Sequence, residues 1–307
     1  MRENNQRRNP FLLAPALVLP AVFFFGIVSF IFSEPLGSTA AYILSALFFL
    51  FIFGLPIALF FCLRGGKWLS SCLLPVKGRS IALSLGAALL MIAQSTFLRS
   101  LAPDFFDYRT YTLYGISFFA EADSFGAFAV LFFALVLIPA LTEGILFRGI
   151  LMYEYRFGGA LFSVLVSSFL YAALSMNPIA FPPYFLNGIL LSATAFITGN
   201  LFCSVFAHVI FLLFAMFGEK YLLFLASETE TRMILFFVLA GIGIASVVFI
   251  CDAAEKILRV RGEQEHQKPI VSPKRKRFIV FWDMISAPLL WADFFCFAVF
   301  SILHLFI

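Results

Sequence analysis

The chain has 307 residues, of which 62% are hydrophobic and 12% are charged, and its formal net charge is +4. A soluble domain carries about 25% charged residues. This chain therefore lacks the polar surface that a water-facing exterior needs. The composition excludes a soluble globular enzyme and indicates a protein for which lipid is the main solvent.

Apolar runs of about 20 residues, the length that crosses the hydrocarbon core, recur along the chain. The first run is too long for a signal-peptide core and has no convincing cleavage site, so we interpret it as a retained span. The last run is interrupted by Asp293. The sequence predicts an all-α polytopic transmembrane helical bundle of eight or nine spans, in which about four helices form the core. The predicted spans are 11–32, 41–63, 80–98, 125–147, 160–176, 179–197, 201–217, 233–251 and 286–307.

These spans divide the chain into five regions. N-terminal transmembrane helices and an outer loop are predicted for residues 1–124, and the core helices for 125–217. An additional transmembrane helix is predicted for 218–251, a cytoplasmic basic linker for 252–285, and a possible ninth span for 286–307.

The basic residues predict the orientation. With the N-terminus inside, 17 of the 21 Lys and Arg residues fall in cytoplasmic segments, and four fall outside. This asymmetry follows the positive-inside rule and favours a cytoplasmic N-terminus. The short loops suit a bacterial cytoplasmic membrane, with the lipid bilayer as the main partner. The basic run Pro273–Arg277 is tethered to the bilayer, so nucleic acid is not expected as a partner.

Within the first eight predicted spans, two residues carry an ionisable acidic or imidazole group, which is costly in a membrane: Glu143 in span four and His208 in span seven. The ninth run carries Asp293 and His304. Arg148 lies five residues after Glu143. At 100° per residue their side chains point about 140° apart, so no pair is expected within the helix. Arg148 is instead expected to extend towards the headgroups. Glu143 then needs a partner on another helix, and we predict that His208 lies within reach, directly or through one water.

Polar side chains on spans five and six provide further candidates for this site. Ser168, Tyr171 and Ser175 share one face of span five, and span six carries Asn187. They either form a polar pocket around Glu143 or join the helices to one another through hydroxyl and amide contacts. The candidate pocket residues are Tyr171, Ser175, Asn177 and Asn187.

Three short sequences in these spans form a recognisable set. Span four contains TEGILFRG with Glu143 and Arg148, span five ends in FLYAALSMNP, and span seven contains AHVIFLL with His208. Together, over about residues 137–217, they resemble the motifs of type II CAAX prenyl endopeptidases. This family of intramembrane proteases is also called CPBP or ABI-type.

The chain departs from the family pattern at three positions. The family motif Glu-Glu-x-x-x-Arg has its second Glu where this chain has Gly144. The motif Phe-x-x-x-His aligns with Tyr171 and Ser175, so a serine occupies the place of the histidine. The third motif has an Asn three or four residues after its His, where Phe211 and Leu212 stand here.

The resemblance implies roles for the retained residues. Glu143 would be the catalytic water-activating base, with His208 and Arg148 in the same site. Zinc is a possible cofactor, with Glu143 and His208 as its ligands. A catalytic zinc normally has three protein ligands, and Ser175 is a poor substitute for the family's histidine. Activity is therefore expected to be impaired.

Three functions remain open from the sequence. The chain is a divergent endopeptidase for CAAX-type peptides, or an inactive family member that binds a peptide, lipid or membrane-protein partner. The third alternative is a proton-coupled transporter that uses Glu143. The altered motif positions favour the inactive member over the other two.

Overall fold

Apolar segments in lipid satisfy their backbone polar groups most simply by forming helices, and most of the residues that the structure describes are helical. The computed structural model describes residues 13–32, 34–66, 69, 72–101, 109–264, 282 and 286–305. The basic N-terminal stretch and Pro273–Arg277 lie outside these residues. The described helices are α1 (Leu13–Ile31), α2 (Thr39–Arg64), α3 (Gly78–Ser100), α4 (Phe125–Tyr155), α5 (Ala160–Ala173), α6 (Phe181–Thr198), α7 (Leu201–Phe217), α8 (Glu219–Ser227), α9 (Thr229–Gln264) and α10 (Pro288–Leu305).

The helical membrane bundle predicted from the sequence is confirmed. By length and hydropathy, five of the described helices can cross a membrane, namely α2, α3, α4, α6 and α9. Helices α7 and α8 together form a sixth candidate that bends by 50°. The apolar segments Pro15–Ile31, Ala160–Ala173 and Pro288–Leu303 are shorter. The predicted number of eight or nine spans is therefore not confirmed.

The predicted boundary between residues 251 and 252 falls inside α9. This helix continues to Gln264, so the first part of the predicted linker is helical. The sequence DAAEKILRVRGEQ is rich in good helix formers. Lys256 and Asp252 lie one turn apart on this helix, and an ion pair between Lys256 Nζ and Asp252 Oδ2 at 2.6 Å stabilises it.

The loop between α3 and α4 contains a β-hairpin that the sequence analysis did not anticipate. Strands β1 (Tyr111–Leu113) and β2 (Ile116–Phe118) pair antiparallel and are joined by a two-residue turn. The α1–α2 connection extends this hairpin: the Leu36 N–H donates to Ser117 O at 2.9 Å, and the Phe119 N–H donates to Leu36 O at 2.9 Å. The hairpin is thus bound to the bundle by its backbone.

The main apolar core joins α1, α2, the hairpin, α4, α5 and α7. Helix α10 packs against α1 and α5, and its Phe294 ring stacks on Phe169 of α5 with centroids 5.9 Å apart. Asp293, which interrupts the predicted ninth span, is fully buried. The ninth apolar run is therefore a packed helix, while its crossing of the membrane stays a prediction.

The orientation is testable at Cys72, which lies between α2 and α3 on the predicted cytoplasmic side. In a variant that keeps only this cysteine, we expect an impermeant maleimide to react in inverted vesicles and not in intact cells. Burial raises the pKa of the Cys72 thiol, partly offset by Arg156, so labelling is run at mildly alkaline pH. A single cysteine at Tyr221→Cys, 66% exposed on α8, is the opposite-side control. Reaction of Cys72 in intact cells would overturn this orientation.

Candidate active site

Helix α4 changes its hydrogen-bonding pattern at the motif. Residues Gly144–Leu151 form a π-helix, and the Met152 N–H reaches back five residues to Phe147 O. A π-helix pairs residues five apart, so Arg148 lies next to Glu143 along the axis. Arg148 Nη1 is 3.7 Å from Glu143 Oε2, and both side chains are buried. The expectation that Glu143 and Arg148 do not pair was wrong, because it assumed a regular α-helix.

The prediction that Arg148 extends towards the headgroups was wrong. Only 3% of this residue is exposed. Its guanidinium group lies over the Tyr171 ring of α5, with the Cζ atom 4.4 Å from the ring centroid. A cation over an aromatic face is stabilised by the ring quadrupole. The charge is therefore held inside the bundle by Glu143 on one side and Tyr171 on the other.

His208 on α7 meets the same carboxylate, so the predicted contact between α4 and α7 is confirmed. Its Nδ1 atom is 3.8 Å from Glu143 Oε2. Its Nε2 atom is 3.3 Å from the hydroxyl of Tyr171. Tyr171 thus contacts both Arg148 and His208, and it orients the two residues that face Glu143.

Tyr114 is the site residue that the sequence analysis missed. It lies in the hairpin turn, is completely buried, and donates a hydrogen bond from its hydroxyl to Glu143 Oε1. The signal in the sequence is a glycine, Gly115, between the alternating segments YTL and ISF, which is a weak hairpin pattern because Asn or Asp usually precedes that glycine. That pattern predicts a turn but gives no indication that the turn enters the bundle.

The other predicted pocket residues have different partners. The hydroxyl of Ser175 donates to Asn177 O at 3.2 Å, and the side chain of Asn177 caps the Ile179 N–H at 2.8 Å. Asn187 donates to Ser95 Oγ on α3 at 2.9 Å. Ser175 and Asn177 therefore shape the α5–α6 turn, and Asn187 joins α6 to α3. Of the four predicted pocket residues, Tyr171 is the one that contacts the charged residues of the site.

The positions that depart from the family motifs are filled by close packing. A Cβ atom on Gly144 would lie 2.6 Å from Val205 Cγ2 on α7. Leu212 is buried in the apolar core, and the Phe211 ring lies nearly parallel to His208, with centroids 6.4 Å apart. Apolar atoms thus occupy the places where the family has a second carboxylate and an amide donor.

A cavity of about 280 Å³ lies against Arg148 at the end of the bundle where α4 turns into α5. Arg148 and Met152 line it from α4, Ser163 from α5, Ala195 from α6 and Leu201 from α7. Its volume corresponds to several water molecules. The cavity therefore provides space for water or a small part of a ligand beside Arg148, whereas Glu143 and His208 do not line it.

Comparison with known protein families agrees with this arrangement of the helices. The family model described as "Type II CAAX prenyl endopeptidase Rce1-like" matches residues 125–214, just under a third of the chain. This segment is CAAX-protease-like. It contains α4, α5, α6 and most of α7, with all three motifs, so the resemblance found in the sequence is confirmed for the helices that hold Glu143 and His208. No curated protein and no solved structure matches the chain.

The donors of the CAAX-protease-like core do not fit a catalytic zinc. Such a site needs three protein ligands and an open position. Among the described residues, no three His, Cys, Asp or Glu side chains gather closely enough to hold a metal. Tyr114 and Tyr171 contact Glu143 Oε1 and His208 Nε2, and Ser175 faces the α5–α6 turn. These side chains therefore do not form a catalytic zinc centre.

Proposed function

We propose that this CAAX-protease-like membrane protein is a slow intramembrane endopeptidase that activates water without a metal. The observation that supports it is a group of buried polar atoms that converge between α4 and α7. Glu143 Oε2, His208 Nδ1 and the guanidinium nitrogens of Arg148 have no hydrogen-bond partner among the described residues. Buried polar atoms without partners are uncommon, and each needs an explanation such as catalysis or an ordered water.

The separation of these atoms suits a bridging water. Glu143 Oε2 and His208 Nδ1 are 3.8 Å apart, beyond the range of a direct hydrogen bond. A water held between them can transfer a proton to the carboxylate as its oxygen attacks a peptide carbonyl carbon. The proton then passes from Glu143 to the leaving nitrogen as the carbon–nitrogen bond breaks. In this proposal Arg148 stabilises the negative charge that develops on the carbonyl oxygen.

The rate is expected to be low because the site lacks an amide donor on α7. Leu212 and Phe211 stand where the family has Asn, and neither side chain can donate a hydrogen bond. Removing one donor to an oxyanion typically costs about 100- to 1,000-fold in kcat. The same loss favours the second candidate function, an inactive member that binds a peptide in this site without cleaving it.

A prenylated CAAX peptide in defined liposomes tests the proposal. We expect slow but measurable release of the carboxyl-terminal fragment, with a rate that 1,10-phenanthroline does not change. Zinc analysis of the purified protein should give well under one equivalent. Product formation at or below that of empty liposomes would overturn the endopeptidase. Peptide binding without cleavage would then support the inactive member.

A further inference from the structure

The turn of the β-hairpin has an unfavourable residue at its first central position. Tyr114 and Gly115 link the paired residues Leu113 and Ile116, and their φ angles are +53° and +76°. Positive φ at both central positions is required by a type I′ turn, where Asn-Gly is strongly preferred. A bulky residue at positive φ is uncommon and persists where the surrounding structure imposes it. Turn formation alone therefore does not explain the tyrosine at position 114.

Packing holds this turn inside the bundle. The Tyr114 ring stacks on Phe25 of α1, with centroids 4.4 Å apart, and contacts Phe49 and Phe53 of α2 at 5.2 and 5.5 Å. Gly115 lies so close to α1 that a Cβ atom there would be 2.8 Å from Ser29 Cβ. These three phenylalanine rings form an aromatic cage that fixes the Tyr114 ring, so the direction of the Tyr114 hydroxyl group is also fixed.

That hydroxyl donates to Glu143 Oε1. We propose that Tyr114 is a positioning residue for Glu143, which the hairpin brings to the site from outside the family-matched segment. With Oε1 held by Tyr114, the second oxygen Oε2 faces His208 and Arg148, at 3.8 and 3.7 Å. Oε2 is the oxygen that receives the proton of water. The positioning role rests on the proposed endopeptidase activity. The hydrogen bond from Tyr114 to Glu143 does not depend on that activity.

Tyr114 adds a polar group that the altered motifs no longer supply. Gly144 replaces the family's second glutamate on α4, and the hydroxyl of Ser175 donates to Asn177 O in the α5–α6 turn. A carboxylate without fixed partners in a buried site samples several rotamers, and a single hydrogen bond from a rigid donor restricts them. The hairpin therefore gives Glu143 one orientation in a site with few other polar side chains.

Fluorine NMR of the full-length protein in lipid nanodiscs tests the contact without any assay of activity. We incorporate 3-fluorotyrosine at position 114 and compare the wild type with Glu143→Gln. The ¹⁹F resonance should shift, because the charged acceptor of the phenol is lost. The control carries the label at Tyr42, whose hydroxyl donates to Phe119 O at 2.6 Å, and its resonance should not move. An unchanged resonance at position 114 would overturn the proposal.

Kinetics of Tyr114→Phe test the positioning role, because this variant keeps the ring in its cage. The free energy of a hydrogen bond to a charged group corresponds to a factor of about 10 to 100 in a rate constant. We expect kcat to fall by a factor of this size, with little change in KM. Tyr42→Phe removes a partly buried hydroxyl that donates to the Phe119 carbonyl, and should leave kcat nearly unchanged. Equal effects of the two variants, or an effect on KM alone, would show a purely structural role.

A second variant changes the turn but retains the tyrosine and its hydroxyl group. Gly115→Ala should displace Tyr114 because the new Cβ meets Ser29 and because φ at this position is +76°. We expect a loss of kcat in the same direction as for Tyr114→Phe, and full activity in this variant would contradict the proposal. If the wild type does not cleave peptides at all, the proposed function fails, while the fluorine experiment still decides whether Tyr114 holds Glu143.

Discussion

Glu143→Gln is expected to lower kcat for peptide hydrolysis by about 100- to 10,000-fold, the range of a general base. The amide keeps the size of the side chain but cannot accept a proton from water. It can still accept the hydrogen bond from Tyr114, so the geometry around Oε1 is retained. The measurement is single-turnover cleavage of the prenylated peptide in liposomes, which separates the chemical step from release of the fragment.

Glu219→Gln is the matched control for this variant. Glu219 is also buried and ion-paired, with Oε2 at 2.8 Å from Arg99 Nη1, but it lies at the start of α8 and its partner belongs to α3 rather than to the site. We expect its kcat to stay within about twofold of the wild type, since the pair joins helices and takes no part in proton transfer. Equal losses in Glu219→Gln and Glu143→Gln would attribute the effect to structural damage and remove the support for a catalytic base.

Gly144→Glu, which restores the family's second glutamate, is expected to destabilise the protein by at least about 2 kcal/mol. The new Cβ would lie 2.6 Å from Val205 Cγ2, and overpacking of this kind typically costs about 1–3 kcal/mol. The added carboxylate would also be buried close to Glu143, where it lacks an evident partner, which adds a further penalty. Thermal or denaturant unfolding in detergent micelles measures the loss.

Two further variants separate the steric cost from the charge. Gly144→Ala adds only the Cβ atom and should account for much of the destabilisation, whereas Gly241→Ala on α9, which meets nothing within 4 Å, should be neutral or slightly stabilising. Val205→Ala should rescue Gly144→Ala because it removes the clashing methyl groups. A Gly144→Glu protein as stable as the wild type would show that α4 and α7 are not held at the observed separation.

The sequence by itself determined the class of the protein and the main contact of its site. Continuous apolar runs of this length form helices in lipid because a helix satisfies its backbone polar groups within the segment itself. Glu143 and His208 could be predicted to meet because an isolated ionisable group is costly in a membrane. Their 3.8 Å approach agrees with that reasoning. The motif resemblance also predicted which helices would match the family model.

Only the tertiary structure decided how the site is arranged. Arg148 pairs with Glu143 through a π-helix, and the side-chain pattern of a sequence does not distinguish five-residue from four-residue hydrogen bonding. Tyr114 reaches Glu143 from 29 residues away, through two strands of three residues each. Such short strands carry little periodicity, and their place inside the bundle depends on the aromatic cage of α1 and α2. The charged residues of the site could therefore be identified from the sequence. The contacts that Arg148 and Tyr114 make with Glu143 depend on the packing of the helices and the hairpin.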